Sequence, residues 1–280
     1  MSSFFSVRAQ TFCHTPNRSN NQFLNRMMQS SSINNDSYCV KIYMHVVRRT
    51  DGSGGQTFNT VEQALEILND DFNPHNISFN WDGIINYIDN DSYYNSVDDG
   101  VFSINNHTDG IDIYLFDRNN PGFGLANGVG ESSELLVSGK FWNYPEIPLL
   151  LSHAISHEMG HILFLWHTHH GTAEGGNDNP CAELVNGNNS SSCGDYVSDT
   201  PADPNINFNT TYPNCQWTGS GTDSNGETYN PDEQNIMAYT NFSCMDYLTP
   251  LQGSRARNAL ATLPFLQQTV VSCCVGSDLD

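Results

Sequence analysis

Basic residues are scarce in this sequence. It contains ten lysines and arginines against 31 aspartates and glutamates, which gives a formal net charge of −21. A surface of this sign repels nucleic acid phosphates and anionic lipid headgroups, so we expect neither nucleic acids nor membranes as partners. The acidic excess favours solubility outside the cell, with weak calcium capture by Asp-rich loops as the alternative.

Long apolar runs are also missing. No stretch approaches the roughly 20 apolar residues of a membrane-spanning helix. The opening MSSFFSVRAQ lacks the basic start and the apolar run of a signal peptide. If the protein is secreted, as we expect, its export signal has been removed from this sequence.

The cysteines include no CxxC pair, which argues against a zinc ribbon or a thioredoxin-like redox motif. Four of the eight lie in a loop-rich stretch from 181 to 244, where disulfides would hold an irregular backbone. This distribution predicts an oxidising compartment. The eight are Cys13, Cys39, Cys181, Cys193, Cys215, Cys244, Cys273 and Cys274.

The polarity pattern changes along the chain. Residues 14–37 are rich in Asn and Ser without periodicity, which predicts a tail or exposed segment. The globular part is expected to start near Tyr38, and residues 171–235 are expected to be mostly loops. β-branched and aromatic runs predict strands at 39–47, 77–81 and 111–116, with 134–142 as a further strand at an edge.

Three helices are predicted. The first has a capping box of Thr60 and Gln63, and its apolar face comprises Val61, Ala64, Leu65, Leu68 and Phe72. The second starts at about Pro148 and carries a histidine-rich motif. The third spans 249–263, where Thr249 can cap and Pro250 suits the first helical position.

The histidine-rich motif is HEMGHILFLWH, residues 157–167. His157 and His161 are four residues apart, so on a helix both imidazoles project from one face and can bind one Zn²⁺. Glu158 can then take a proton from the attacking water. The alternative is a buried helix whose histidines only satisfy the core.

A catalytic zinc needs a third protein ligand. His153 and His161 are separated by about 12 Å of helix and cannot bind the same ion, which makes His153 a supporting residue. His167 can complete the site if the helix ends near Phe164. A left-handed phenylalanine there would cost about 1 to 3 kcal/mol, less than bound zinc can contribute. The alternatives for the third ligand are His169, His170 and Glu174.

Four segments in this order resemble the metzincin zinc peptidases, and within them the pappalysin (cytophagalysin) branch. The segments, which fall between about residues 150 and 260, are HEMGHILFLWHTHHG, CGDYVSDTPADP, NIMAYT and CMDYLTPLQGSRAR. The usual metzincin pattern is HExxHxxGxxH, and Phe164 takes the place of its glycine.

The resemblance implies an α+β, zincin-like fold. A twisted mixed sheet and the active-site helix would form an upper subdomain over 38–167. A loop-rich, disulfide-stapled lower subdomain over 168–280 would end in a helix. Residues 1–37 would be a tail or the remnant of a prosegment.

The resemblance also implies roles for single residues. Met237 would pack beneath the zinc as the Met-turn residue, with an ordinary core methionine as the alternative. Tyr239 would stabilise the tetrahedral intermediate, with a packed aromatic as the alternative. Asp195, Asp199 and Thr200 lie in a segment associated with calcium in this family, although such runs also form plain turns.

The family's disulfides imply a Cys215–Cys244 pair, which leaves Cys181–Cys193 as the second pair in the loop-rich stretch. TFCHTP resembles the family's cysteine-containing prosegment, so Cys13 can occupy the open zinc position as a latency switch. A disulfide is the alternative role for Cys13. Cys273 and Cys274 receive no assignment.

The expected function is that of a secreted zinc endopeptidase acting on proteins or peptides. In one alternative the protein keeps the fold and binds zinc but does not hydrolyse a substrate, and it serves as an adhesion or carbohydrate-binding module. This alternative rests on Phe164 alone. The other is a zinc hydrolase of a different class in which Glu183 supplies the third ligand. Cleavage specificity and oligomeric state do not follow from the sequence.

Overall fold

A computed structural model describes residues 13–20, 22, 33–117, 123–141, 144–148, 152–174, 181–207, 209–211 and 214–273. Its strands are β1 (Tyr38–Arg48), β2 (Ile77–Asn80), β3 (Ile85–Asp89), β4 (Ile111–Leu115), β5 (Phe123–Ala126), β6 (Glu134–Ser138), β7 (Lys140–Phe141), β8 (Tyr144–Pro148) and β9 (Val270–Val271). Its helices are α1 (Phe58–Phe72), α2 (Asp91–Asn95), α3 (Ala154–Ile162), α4 (Pro250–Thr262) and α5 (Pro264–Gln267), with 3₁₀ turns at Asn73–His75 and Asp99–Ser103.

One mixed, mostly parallel sheet organises the chain, in the order β2-β1-β4-β6-β5. The long strand β1 pairs in parallel with β2 and then β3 on one side. On its other side it pairs with β9, antiparallel, and with β4, parallel. β6 continues the sheet in parallel, and β5 pairs antiparallel with β6 at the edge.

The two faces of the sheet support separate cores. Met44 and Val46 on β1 pack into the larger core, which includes buried residues of α1, α3 and α4. Val47 and Tyr114 point to the opposite face and belong to a smaller core. This follows from the two-residue repeat of a strand, which sends successive side chains to opposite faces.

Several predicted elements are confirmed. The three strands are present within one or two residues of their predicted ends, and no helix or strand forms among the described residues from 163 to 249. Helix α4 begins as predicted. Thr249 is its N-cap, Pro250 is its first residue, and Gln252 completes a capping box.

Four local predictions were wrong. Helix α1 starts earlier than Thr60, because the Thr57 hydroxyl already accepts a hydrogen bond from the Thr60 N–H. The segment at 134–142 is not the edge: β6 is covered by β5, which forms the edge itself. Helix α3 does not begin at Pro148, because Tyr144–Pro148 is a strand that pairs antiparallel with β7. The predicted exposed tail holds two buried polar residues, Thr15 and Ser19.

Among the described residues, three disulfides join cysteines that are 12 to 234 residues apart. The structure pairs Cys215 with Cys244 and Cys181 with Cys193, as the resemblance implied. It also pairs Cys39 with Cys273, which the sequence did not suggest. Cys13 is buried and unpaired, and Cys274 lies outside the described residues. None of the described helices is long and apolar enough to cross a membrane.

Candidate metal centre

Helix α3 ends in a tight turn that brings the third histidine back toward the first two. Phe164 has a positive φ of 70°, in the left-handed region. Its N–H donates to the His161 carbonyl at 3.1 Å, and the Leu165 N–H donates to the Gly160 carbonyl at 2.8 Å. These two bonds form a Schellman motif, in which the left-handed position is usually glycine. The expected bend at Phe164 is therefore present.

The Phe164 side chain compensates for this backbone strain. The ring is fully buried in the larger core and lies against Gly130, where an added Cβ would overlap it. The Gly130 N–H also donates to the His161 carbonyl at 2.8 Å. Burying a phenylalanine contributes about 1.5 to 3 kcal/mol, comparable to the cost of about 1 to 3 kcal/mol for the left-handed backbone.

Three imidazole nitrogens converge after this turn. The His167 Nε2 lies 3.0 Å from the His161 Nε2 and 3.1 Å from the His157 Nε2. All three side chains are buried. We call this set the candidate metal centre.

The opposite nitrogen of each ring determines its tautomer. The Nδ1 of His157 lies 2.7 Å from the Ile236 carbonyl, and the Nδ1 of His161 lies 2.8 Å from the Leu165 carbonyl. The Nδ1 of His167 lies 2.7 Å from the Glu174 carboxylate. These oxygens can only accept, so each Nδ1 carries the proton and the three Nε2 lone pairs face one another. Converging lone pairs need a cation between them, and their spacing is close to the roughly 3.3 Å between ligands of tetrahedral zinc.

Burial keeps these rings neutral. It lowers the pKa of His157 and of His161 well below the usual value, and the neighbouring histidines lower both further. Burial also lowers the pKa of His167, against the opposing charge of Glu174. Neutral imidazole is the form that binds a metal, so the chemistry of the donor set fits zinc.

Glu158 lies beside the three nitrogens. Its Oε2 accepts a hydrogen bond of 2.7 Å from the Thr15 hydroxyl, and its Oε1 has no hydrogen-bond partner among the described residues. Burial raises the pKa of Glu158 to about 8. Gly124 on β5 leaves room for the carboxyl group, because a Cβ there would overlap it.

The chain after the loop-rich stretch closes the site from below. Met237 is fully buried and its sulfur lies under Gly160 of α3. The Asn235 side chain accepts from the Met237 N–H at 2.9 Å and bonds Gln252 of α4, which anchors this turn. The Tyr239 ring lies 4.5 Å from the His167 ring, and its hydroxyl donates to the Cys13 carbonyl at 3.3 Å.

An N-terminal segment, Cys13–Thr15, covers the centre. The Cys13 sulfur lies 3.5 Å from the His161 Nε2 and 3.7 Å from the Glu158 Oε2. It groups with the three histidines as a fourth metal-ligand atom. The segment runs along the edge strand: the His14 N–H donates to the Gly124 carbonyl at 2.9 Å. Burial, together with the charge of Glu158, raises the pKa of the Cys13 thiol.

The other ligand candidates lie outside this convergence. His153 pairs with Asp71 at 2.9 Å, and His170 stacks on Trp166. His169 lies 3.1 Å from the Glu174 carboxylate, which itself bonds His167. Glu174 is thus a partner of a ring nitrogen, a role that the sequence gave no signal for.

The segment expected to bind calcium is bonded to the protein itself. Asp195 accepts from the Thr200 hydroxyl at 3.0 Å, and Asp199 accepts from the Thr249 hydroxyl and the Leu251 N–H at the start of α4. Burial raises the pKa of Asp195 to about 7, and burial together with nearby acidic groups raises that of Glu183 to about 8. Glu183 lines a cleft with Asp199 and Thr200, away from the three histidines.

Comparison with known proteins establishes the fold. No protein-family profile matches the sequence, and no curated protein sequence matches it. Solved protein structures do match this chain. Mature mirolysin from Tannerella forsythia, in complex with a cleaved peptide, matches with a TM-score of 0.59 at 17% identity, over 84% of this chain and 96% of that chain. A structure of mirolysin in complex with a compound matches with the same TM-score at 18% identity, over 84% and 97%. With its mostly parallel sheet, few helices and three disulfides, this chain has the mirolysin fold.

Proposed function

We propose that this protein is a secreted zinc endopeptidase of the metzincin type, of the pappalysin branch that its motifs resemble. The observation that carries the proposal is the convergence of three unprotonated Nε2 atoms beside a buried glutamate. His157, His161 and His167 would hold the zinc, which supplies polarisation of the scissile carbonyl and acidifies water. The likeness to mirolysin, captured with a cleaved peptide, supports a peptide substrate.

Glu158 is the proposed base and acid. Its pKa of about 8 lies near neutral pH, where a carboxyl group exchanges protons with small driving force in either direction. It would take a proton from the attacking water and return it to the leaving amine. Its Oε1 has no hydrogen-bond partner among the described residues and can therefore accept this proton.

Tyr239 is the proposed donor to the oxyanion. Its hydroxyl already donates to a backbone carbonyl, that of Cys13, beside the three histidines. Burial raises the pKa of Tyr239, so the phenol stays protonated and can donate to a substrate carbonyl oxygen as negative charge develops.

The edge strand β5 is the proposed docking site for the substrate. The Gly124 carbonyl accepts from the His14 N–H, a backbone bond of the kind that joins strands, and the Ala126 N–H donates to the Thr15 hydroxyl. An extended peptide can add to a sheet edge through such bonds. The Cys13 segment would thus hold the enzyme latent, with its sulfur at the metal position and its backbone on the substrate strand.

The remaining expectations concern the compartment, a calcium ion and the alternative function. Three disulfides fit an oxidising, extracellular compartment. Asp195, Asp199 and Thr200 would supply oxygen ligands to a calcium ion near the loop-rich stretch. The alternative of a zinc-binding module without catalytic activity rested on the idea that Phe164 spoils the bend. Phe164 adopts the left-handed conformation and packs against Gly130, which removes that argument.

Cleavage of an unfolded protein substrate tests the proposal. The Cys13→Ala variant of the full chain, loaded with zinc, should cleave it, lose activity to a chelator and recover with zinc. The double variant Cys13→Ala/Glu158→Ala should bind zinc equally well without cleaving. A folded, zinc-loaded protein that cleaves no unfolded substrate, either as Cys13→Ala or after removal of residues 1–20, would contradict a peptidase.

A further inference from the structure

A second cluster of metal-ligand atoms lies on the opposite face of the sheet. The His45 Nε2 lies 2.6 Å from the Asp112 Oδ1, and the His107 Nδ1 lies 2.7 Å from the same oxygen. His45 is on β1 and Asp112 on β4, whereas His107 is in the loop before β4. We name these three residues the His45 cluster.

The sheet separates the His45 cluster from the candidate metal centre. His45 lies between Met44 and Val46, whose side chains enter the core shared with α3. The strand repeat therefore directs His45 to the face of Tyr114, on which its ring stacks at 4.4 Å. The two sets of ligand atoms share no residue.

The charge of the cluster lacks a fixed counter-ion. Asp112 is fully buried and accepts hydrogen bonds from both rings and from the His107 N–H at 2.8 Å. Among the described residues its ion-pair partners are these two histidines, with no lysine or arginine. A buried carboxylate is stabilised by a paired positive charge, which a bound cation would supply.

The two rings of the cluster differ in exposure. The His45 ring is fully buried on the strand β1. The His107 side chain is 29% exposed, so an ion can reach the cluster from the side of His107.

The arrangement of the ligands favours a cation. Two imidazole nitrogens and one carboxylate oxygen, from β1, from β4 and from the loop before β4, all lie within 4.8 Å of one another. Stacking on Tyr43, with ring centroids 3.5 Å apart, orients His107. The bond from the His107 N–H orients Asp112. Two histidines and a carboxylate form a common ligand set for zinc, with a fourth position for water.

We propose that the His45 cluster binds a second divalent transition-metal ion, of which zinc is the test case. Ligands of tetrahedral zinc are roughly 3.3 Å apart, so the two rings would move back by roughly 0.6 Å from the carboxylate. His107 can make this movement because it lies in a loop and is partly exposed. Its exposure also provides the entry path for the ion and the open coordination position.

Zinc stoichiometry of the full chain tests this proposal, after removal of metals with a chelator and titration by calorimetry. We expect two equivalents for the unmodified protein and one for His107→Phe, which keeps a ring to stack on Tyr43 but has no ligand nitrogen. His75→Gln is the control, because it also removes one imidazole and His75 lies in the turn after α1, outside both ligand sets. It should retain two equivalents.

The variant His161→Ala separates this proposal from the proposed function. This variant should bind one equivalent of zinc fewer than the unmodified protein, because it lacks a ligand of the candidate metal centre. Zinc should still raise its melting temperature. In the double variant His161→Ala/His107→Phe, zinc should no longer do so. If the candidate metal centre binds no zinc and the His45 cluster does, the unmodified protein should bind one equivalent. His107→Phe should lose that equivalent, and His161→Ala should keep it. A folded His107→Phe that binds as much zinc as the unmodified protein would overturn the second site.

Discussion

At the scale of single residues, Phe164 shows how packing can support an unfavourable backbone conformation. The left-handed turn costs about 1 to 3 kcal/mol for a residue with a side chain, but the ring fills space above Gly130. Replacing Phe164 by Gly relieves the strain and removes a buried ring that is worth about 3 to 5 kcal/mol in such substitutions. We expect a net loss of about 2 kcal/mol of unfolding free energy, measured in urea, and no gain in activity. A more stable or more active Phe164→Gly variant would show that the strain outweighs the packing.

Glu174 is a positioning residue by its contacts. Its carboxylate holds the His167 Nδ1–H at 2.7 Å, which directs the Nε2 to the other two histidines. Changing the carboxylate partner of a ligand histidine weakens metal binding by about 10- to 100-fold. We expect this loss for Glu174→Gln in a competition titration with a zinc chelator, and none for Glu66→Gln on the exposed face of α1. Equal zinc affinity in the two variants would remove the role of Glu174.

At the scale of elements, an ion pair connects the start of α3 to the end of α1. Burial lowers the pKa of His153, but the hydrogen bond and charge of Asp71 outweigh it, and the net shift is upward. A raised folded-state pKa means that the pair stabilises the protein fully below the unfolded value of about 6.5. The contribution is lost as pH rises through the folded-state pKa.

The variant Asp71→Asn tests this pair. The unfolding free energy of the metal-free protein should exceed that of Asp71→Asn by more at about pH 6 than at about pH 9, because His153 is charged only at the lower pH. Urea unfolding at both pH values measures the difference. A difference that does not depend on pH would mean that His153 does not titrate against Asp71.

At the scale of the whole molecule, the disulfides differ in the length of chain they close. Cys39 and Cys273 are 234 residues apart and tie β1 to the C-terminal strand, whereas Cys181 and Cys193 are 12 apart. Loop-closure entropy predicts that removing the first disulfide lowers the unfolding free energy by about 5 kcal/mol and that removing the second lowers it by about 3 kcal/mol. Paired Cys→Ser variants, with Cys274 also replaced in the first, should show this order in urea unfolding. Equal losses would indicate that strain or residual structure, and not loop length, sets the contribution.

The sequence predicted those features that depend on neighbours along the chain. The four-residue spacing of His157 and His161 places both on one face of a helix because of the helical repeat alone. The caps at Thr249 and Pro250 are equally local, and the strand β1 followed from a run of β-branched and aromatic residues. The start of α1 was missed by a few residues, since Thr57 and Thr60 both suit an N-cap and the sequence does not rank them.

The sequence by itself determined the set of side chains and the alternation that gives the sheet two buried faces. Only the tertiary structure decided how they meet. The bend at Phe164 is held by Gly130, the His167 ring by Glu174 and the Cys13 sulfur by the edge strand β5, and the His45 cluster exists only because β1 and β4 pair. Each of these contacts joins residues that are separated by loops or by other elements, and their energies come from burial and hydrogen bonds that exist only after the chain has folded.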